Sequence, residues 1–241
     1  MLTLAAGRCG HHGFQVKDYV TPETLMEASK REFRNGHFGP ARLGFQKVTF
    51  DVPTNDPLGG EARYYVAECY FAQGEYVEAS HEFRKVADDY ENHPLAPDAL
   101  LRSGDAMAAQ WNHVELDPTS GEEALAVYRE LATRYPESRA AERARLKLSQ
   151  LADRFAEKEY RAGVFYFRLK AYDSAIIYFR SVAADYGESA YAPLALVKLV
   201  EAYRRINYNE ELRETCAHLR QYYPKAAGLN EVCPSAQANS P

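Results

Sequence analysis

Cys9 is the first residue at which this chain could carry chemistry, and it follows the short apolar run MLTLAAGR. A thiol in that setting is where lipid is added at the end of a bacterial lipoprotein leader, and it then becomes the first residue of the mature chain. Arg8 departs from the Gly, Ala or Ser wanted just before such a cysteine, no basic leading region precedes it, and the run is short for a signal peptide. Either the true start codon lies upstream and Cys9 is lipidated, or Cys9 is incidental. His11 and His12 carry metal-binding side chains beside it, but a flexible terminus supplies no fixed geometry.

Bond-making chemistry finds no support elsewhere. The chain has no phosphate-cradling glycine loop, no His–Glu helix motif and no nucleophile elbow. Its seven histidines are scattered, and pairs such as Glu157 and Glu159 read as surface charge. The four cysteines, Cys9, Cys69, Cys216 and Cys233, are too few and too dispersed for a disulfide framework or a zinc site. Cys69 and Cys216 lie inside helical patterns and read as buried thiols; a Cys216–Cys233 bridge in an oxidising compartment stays open. The expectation is a protein that is not an enzyme, with no cofactor and no metal.

What remains is a recurring apolar pattern. Ala175 is followed by Phe179, Val182 and Tyr186 at four, seven and eleven residues, one face of a helix. The series recurs as Ala79, Phe83, Val86, Tyr90 and as Ala124, Tyr128, Leu131, Tyr135, and in weaker form as Ala41, Phe45, Val48, Val52 and Leu212, Cys216, Leu219, Tyr223. A small residue, Ser29, Ala67 or Gly163, stands twelve before the reference position, and a turn aromatic, Phe38, Tyr76 or Tyr172, three before it. The small residue lets a first helix approach a second closely, and the aromatics fill the wedge between repeats. The pattern resembles the tetratricopeptide repeat, a helix–turn–helix unit. The expected fold is all-α, a right-handed superhelix of about five such repeats.

The expected organisation is a leader remnant or tether over 1–22, repeats at about 23–53, 61–91, 97–136, 155–187 and 192–224, and a disordered tail over 227–241. Thr21–Pro22–Glu23 supplies a cap, a first-turn proline and an acidic start. Asp173 is expected to cap the second helix of the fourth repeat, and Thr119–Glu122 to form a capping box after an insertion, NHVELDPTSG, in the third. Such an insertion is an inert surface loop or a partner contact. The stretch from Ser138 to Tyr160 has neither Gly nor Pro and reads as one helix running into the fourth repeat. The net charge of −5 argues against nucleic acid, and the 18 tyrosines fall mostly at repeat positions. No stretch is long enough to span a membrane.

Five repeats, an extended third turn and the segment LADRFAEKEYRAGVFYF, together with YFAQGEYVEASHEFRKVADDYENHP and ALAVYRELATRYPES, resemble the BamD family. The likeness covers roughly Glu23 to Pro224 and departs from the family at Arg8 and in the second helix of the first repeat. It implies a lipoprotein on the periplasmic face of the outer membrane, anchored by lipid at Cys9. Its partners would be BamA-like POTRA domains, met mainly by the C-terminal repeats, and unfolded outer-membrane proteins, received by the N-terminal repeats. A BamC- or BamE-like companion stays open. The alternatives are another periplasmic repeat scaffold, such as a CpoB-like cell-envelope coordinator, or a cytosolic repeat adaptor.

First helices of such repeats line the concave surface. Counting outward from the small residue gives Lys30, Phe33 and Arg34 in the first repeat and Tyr64, Glu68 and Phe71 in the second. Cations beside aromatics suit an extended peptide with an aromatic end and a carboxylate. The competing expectation is that these side chains pack against neighbouring helices. Tyr160, Arg168, Arg204 and Arg205 are expected to be exposed and to meet BamA. The register itself is testable. Gly163→Leu should overpack the helix pair at a cost of about 1–3 kcal/mol, and Phe179→Ala should cost about 3–5 kcal/mol. Thermal melts check both, and unchanged midpoints would reject the register.

Overall fold

The Thr24 amide donates to Thr21 Oγ1 at 3.3 Å and Pro22 takes the first helical position, so α1 (Pro22–Arg34) begins at the cap the sequence offers. The computed structural model describes residues 14–234. Cys9, His11 and His12, and the tail beyond 234, lie outside the described residues. After α1 come α2 (Phe38–Asp51), α3 (Pro57–Ala72), α4 (Tyr76–Asp89), α5 (Ala96–Gln110), α6 (Thr119–Arg134), α7 (Arg139–Arg168), α8 (Tyr172–Asp185), α9 (Ala192–Arg205), α10 (Asn209–Tyr222) and the single turn α11 (Leu229–Val232). A 3-10 turn, Val16–Asp18, precedes α1. Among the described residues regular structure is entirely helical, arranged as five helix–turn–helix units. No helix among them is long and apolar enough to cross a membrane.

Four of the five corners are built alike. Gly36, Gly74, Lys170 and Asn207 follow α1, α3, α7 and α9 with φ of 79°, 78°, 61° and 62°. This left-handed residue turns the chain so that later amides return to the last helical carbonyls, as His37 does to Glu32 at 2.9 Å and Tyr208 to Tyr203 at 3.0 Å. Glycine adopts that conformation freely, whereas Lys170 and Asn207 adopt it against their Cβ.

The chain divides into two compact units, residues 1–110 with 123–144 and residues 111–122 with 145–241. In the first, α1 packs on α2, α2 on α3, α3 on α4 and α4 on α5. Leu25, Met26, Phe45, Val48 and Val66 form one buried cluster, and Ala67, Ala79, Phe83, Val86 and Ala99 another. Phe14 joins the first cluster and lies against Gly44, where an added Cβ would come within 2.9 Å of its ring. Gly104 on α5 faces Tyr128 on α6 so closely that a Cβ would sit 2.6 Å from the ring. It is the third repeat's small residue, displaced from the expected offset by the insertion.

In the second unit α8 packs on α9 and α9 on α10, around Phe179, Val182, Val200, Tyr203 and Leu219. A Cβ at Gly163 would lie 2.6 Å from the Phe179 ring. The tyrosines that close the repeats also bind across them. Tyr223 donates to the Gly187 carbonyl at 2.6 Å and, in the first unit, Tyr135 to the Glu91 carbonyl at 3.2 Å.

Several local expectations are corrected. α3 starts at Pro57, four residues before the expected repeat, because Asp56 accepts from the Leu58 amide at 2.8 Å and fixes the helix start there. Ala171 holds the cap position of α8, and Asp173 lies within its first turn. Thr119 is already helical; its amide donates to Asp117 at 2.9 Å, so Asp117 supplies the cap oxygen. The expected continuous helix is present: α7 is one unbroken helix of 30 residues, begun by Ser138, whose Oγ accepts from the Ala141 amide at 3.1 Å.

The chain from 227 to 234 is folded rather than disordered. Gly228 turns it with φ 82°, Leu229 and Val232 are buried, and Cys233 is bridged to Cys216 with a Cα–Cα distance of 5.7 Å. The bridge spans a sequence separation of 17. Replacing both cysteines with Ser is expected to lower the free energy of unfolding by about 3 kcal/mol, the loop-closure value for that length. Urea titration of the oxidised protein and the double variant checks this.

Candidate functional site

The small residues of α1, α3 and α5 turn one face of each first helix toward its second helix, which leaves the flanking positions to meet the next repeat. In the first unit those positions form a charged ladder. Lys30 on α1 reaches Glu61 on α3 at 3.0 Å and Glu27 on its own helix at 3.2 Å. Glu68 on α3 receives two hydrogen bonds from Arg102 on α5, both 2.8 Å, a paired fork geometry. Arg102 also lies 3.5 Å from Asp105, which accepts from the Tyr128 hydroxyl at 2.9 Å.

Aromatic rings fill the spaces between these charges. Phe33 packs edge-on to Phe38 at 5.4 Å and to Tyr65 at 5.6 Å, with Lys30 over the Tyr65 ring at 5.8 Å. Tyr64 packs edge-on to Phe83 at 5.3 Å. The Arg102 guanidinium lies 3.9 Å from the centre of the Phe71 ring. Lys30, Phe33, Tyr64, Glu68 and Phe71 are thus brought into one strip, but they are half-buried and partnered rather than directed outward. Arg34 stands apart, exposed in the last turn of α1 beside exposed Arg31. Arg102, which the repeat series does not mark, joins the second and third repeats through their first helices.

The electrostatics follow from this pairing. Burial lowers the Lys30 ammonium, but Glu61 and Glu27 outweigh it and leave it raised. Burial likewise opposes the charge on Arg102, and Glu68 and Asp105 more than restore it. Burial, then Glu68, pushes the Tyr64 phenol up, and burial with Asp105 does the same for Tyr128. Burial pushes the Cys69 thiol up to about 12, so it is a packing group rather than a nucleophile. Among the described residues no group of three His, Cys, Asp or Glu is placed to hold a metal ion.

In the second unit the inserted loop is held down by one face of α7. Arg154 lies over the Trp111 ring at 4.4 Å and donates to the Trp111 carbonyl. Lys158 donates to the carbonyls of Val114, Glu115 and Leu116 at 3.3, 3.4 and 2.8 Å, and Arg161 pairs with Glu115. Of the residues expected to meet a partner, Tyr160 is half-buried against Phe179 at 5.8 Å and Tyr191 at 5.6 Å, which corrects its expected exposure. Arg168 and Arg205 are exposed at the ends of α7 and α9. Arg204 is exposed too, and donates to the Val232 carbonyl. Sequence reasoning missed the exposed apolar side chains of these two helices: near Arg168 in the chain Phe165 is 57% exposed and Leu169 61%, and on α8 Ile177 is 68% exposed. Their signal was apolar residues that fall off the repeat's buried stripe.

A family profile described as YfiO, outer membrane lipoprotein, matches residues 18–219. The outer membrane protein assembly factor BamD of Caulobacter vibrioides is 31% identical over 155 residues, 64% of this chain and 51% of that protein. The BamD of Neisseria gonorrhoeae is 22% identical over 248 residues, 96% of this chain and 92% of that one. This chain therefore spans about half the length of the Caulobacter relative and most of the Neisseria one. Among solved structures, a thermophilic TPR protein of Thermus thermophilus is 17% identical, covering 88% of this chain and 96% of its own, with a TM-score of 0.39.

The ladder predicts a specific stability loss. Arg102→Ala leaves Glu68 without its paired donors and should cost about 1.5–3 kcal/mol. Urea titrations of Arg102→Ala, Glu68→Gln and the double variant should show the two losses to be strongly non-additive.

Proposed function

The chain belongs to the YfiO family of outer membrane lipoproteins, and on that premise we propose that it is a non-enzymatic scaffold of the machinery that assembles β-barrel proteins in the outer membrane. It acts from the periplasmic face, with Cys9 as the lipid-bearing residue. Its second unit docks on the folded periplasmic POTRA domains of a BamA-like barrel protein, and its first unit receives unfolded outer-membrane chains.

The observation that carries the docking reading is the exposed edge of the second unit at the α7–α8 corner. Phe165 and Leu169 stand in solvent within three residues of the exposed cation Arg168 at the end of α7, and Ile177 on α8 is exposed as well, an arrangement that suits a folded acidic partner with an apolar centre. Arg204 and Arg205 at the end of α9 add cations to the same unit. For the first unit, Arg34 and Arg31 are exposed cations that suit a substrate carboxylate, whereas Lys30 already meets Glu61 and Glu27 and the donors of Arg102 toward Glu68 are filled.

Affinity purification from solubilised outer membranes, followed by mass spectrometry, tests the reading. A POTRA-containing barrel protein is expected in stoichiometric yield, together with a lipidated Cys9 peptide. Phe165→Asp combined with Leu169→Asp, on exposed positions, should abolish that recovery while leaving the helical circular dichroism unchanged. Lys30→Ala with Arg34→Ala should weaken binding of peptides ending in an aromatic residue and a free carboxylate; unchanged binding removes the groove assignment.

A further inference from the structure

Beyond the repeats, residues 228–234 are attached to the end of the second unit at several points. Leu229 and Val232 are buried in its core, α11 packs on both α9 and α10, and Cys233 is bridged to Cys216 on α10. Two cations then close on the carbonyls that α11 leaves free. Arg204 from the last turn of α9 donates to Val232, and Arg220 from α10 donates to Cys233 at 2.7 Å and Pro234 at 3.1 Å.

A helix of four residues does not hold itself together in water. Its position therefore depends on two buried side chains and the covalent bridge. Arg204 remains exposed while one donor of its fork is fixed on Val232. A guanidinium has five donors, so a fixed Arg204 still presents a face to an external carboxylate, with less rotamer freedom to lose on binding.

We propose that residues 228–234 form a disulfide-closed clip that positions Arg204 for a carboxylate on a folded partner, so that opening the Cys216–Cys233 bridge weakens docking. The proposal rests on the reading of the α9 end as part of the docking surface. Opening requires a dithiol reductant. One of its thiolates bonds to Cys233 Sγ and the Sγ–Sγ bond breaks with its electron pair on Cys216. The second thiolate then displaces Cys233 and leaves as the reductant's disulfide, with two electrons and two protons transferred to the cysteines. Arg204 is a positioning target here, and the bridge acts on docking only through it.

The test is a double-mutant cycle on the full chain, with the purified POTRA domains of the same bacterium as probe and calorimetry as readout. Arg204→Ala is expected to weaken binding about tenfold or more in the oxidised protein, and by no more than about twofold after dithiothreitol or in the Cys216→Ser, Cys233→Ser variant. Amide exchange across 228–234 should rise on reduction while the helical circular dichroism is kept. If the serine variant loses helix, Arg220→Ala with the bridge intact replaces it, and should likewise shrink the effect of Arg204→Ala. An equal loss from Arg204→Ala in both redox states overturns the clip but keeps the docking reading. No loss in the oxidised protein overturns both. Unchanged exchange on reduction overturns the bridge as the element that holds the segment.

Discussion

The close approach of a small residue on one helix to an aromatic ring on its partner is the constraint on which this structure rests. At Gly163 against Phe179 and Gly104 against Tyr128 a methyl group would already be 2.6 Å from ring carbon. No water or alternative rotamer fits such a contact, so the spacing of each helix pair is fixed by steric exclusion as much as by attraction. Once the pair is fixed, the flanking side chains of the first helix can reach only the next repeat. The Lys30–Glu61 and Glu68–Arg102 contacts and the edge-on rings between them are consequences of that geometry. They tie repeat to repeat, where the glycine contacts tie helix to helix.

Much of this was legible because the buried stripe repeats at helical spacing. Ala175, Phe179 and Val182 are fully buried, as are Ala79, Phe83, Val86 and Ala41, Phe45, Val48. The third repeat's small residue was hidden because the insertion moves Gly104 away from Tyr128 in sequence without moving it in space. The outward positions were read less well. Counting round one helix places Phe33, Tyr64, Phe71 and Tyr160 outside, yet a long aromatic side chain folds back over its own helix and meets the neighbouring repeat. Arg102 had no signature because its role exists only across two repeats. Residues 227–234 misled for a related reason: their composition is that of a disordered segment, while the buried Leu229 and Val232 and the bridge to Cys216 supply the order that composition lacks.

The exposed surface differs between the two units. In the first, many cations and carboxylates satisfy one another, while the α1 terminus presents the exposed cations Arg31 and Arg34. In the second, α7 spends Arg154, Lys158 and Arg161 on holding the inserted loop, and its last turns present apolar side chains and Arg168 to solvent. The long helix thus does two jobs along its length, clamping early and presenting late.

Phe14, seated against Gly44 and 5.6 Å from the tilted ring of Tyr19, is held on the first repeat. Four residues separate it from Cys9, and the five Cα steps between the two span at most about 17 Å when fully extended. With Cys9 lipidated as proposed, Phe14 can stand from the lipid-bearing residue by no more than about one and a half helix diameters. An incoming chain would then be met within a thin layer of periplasm directly beneath the membrane it is to enter, and the height of that layer would be set by the number of residues between a cysteine and a phenylalanine.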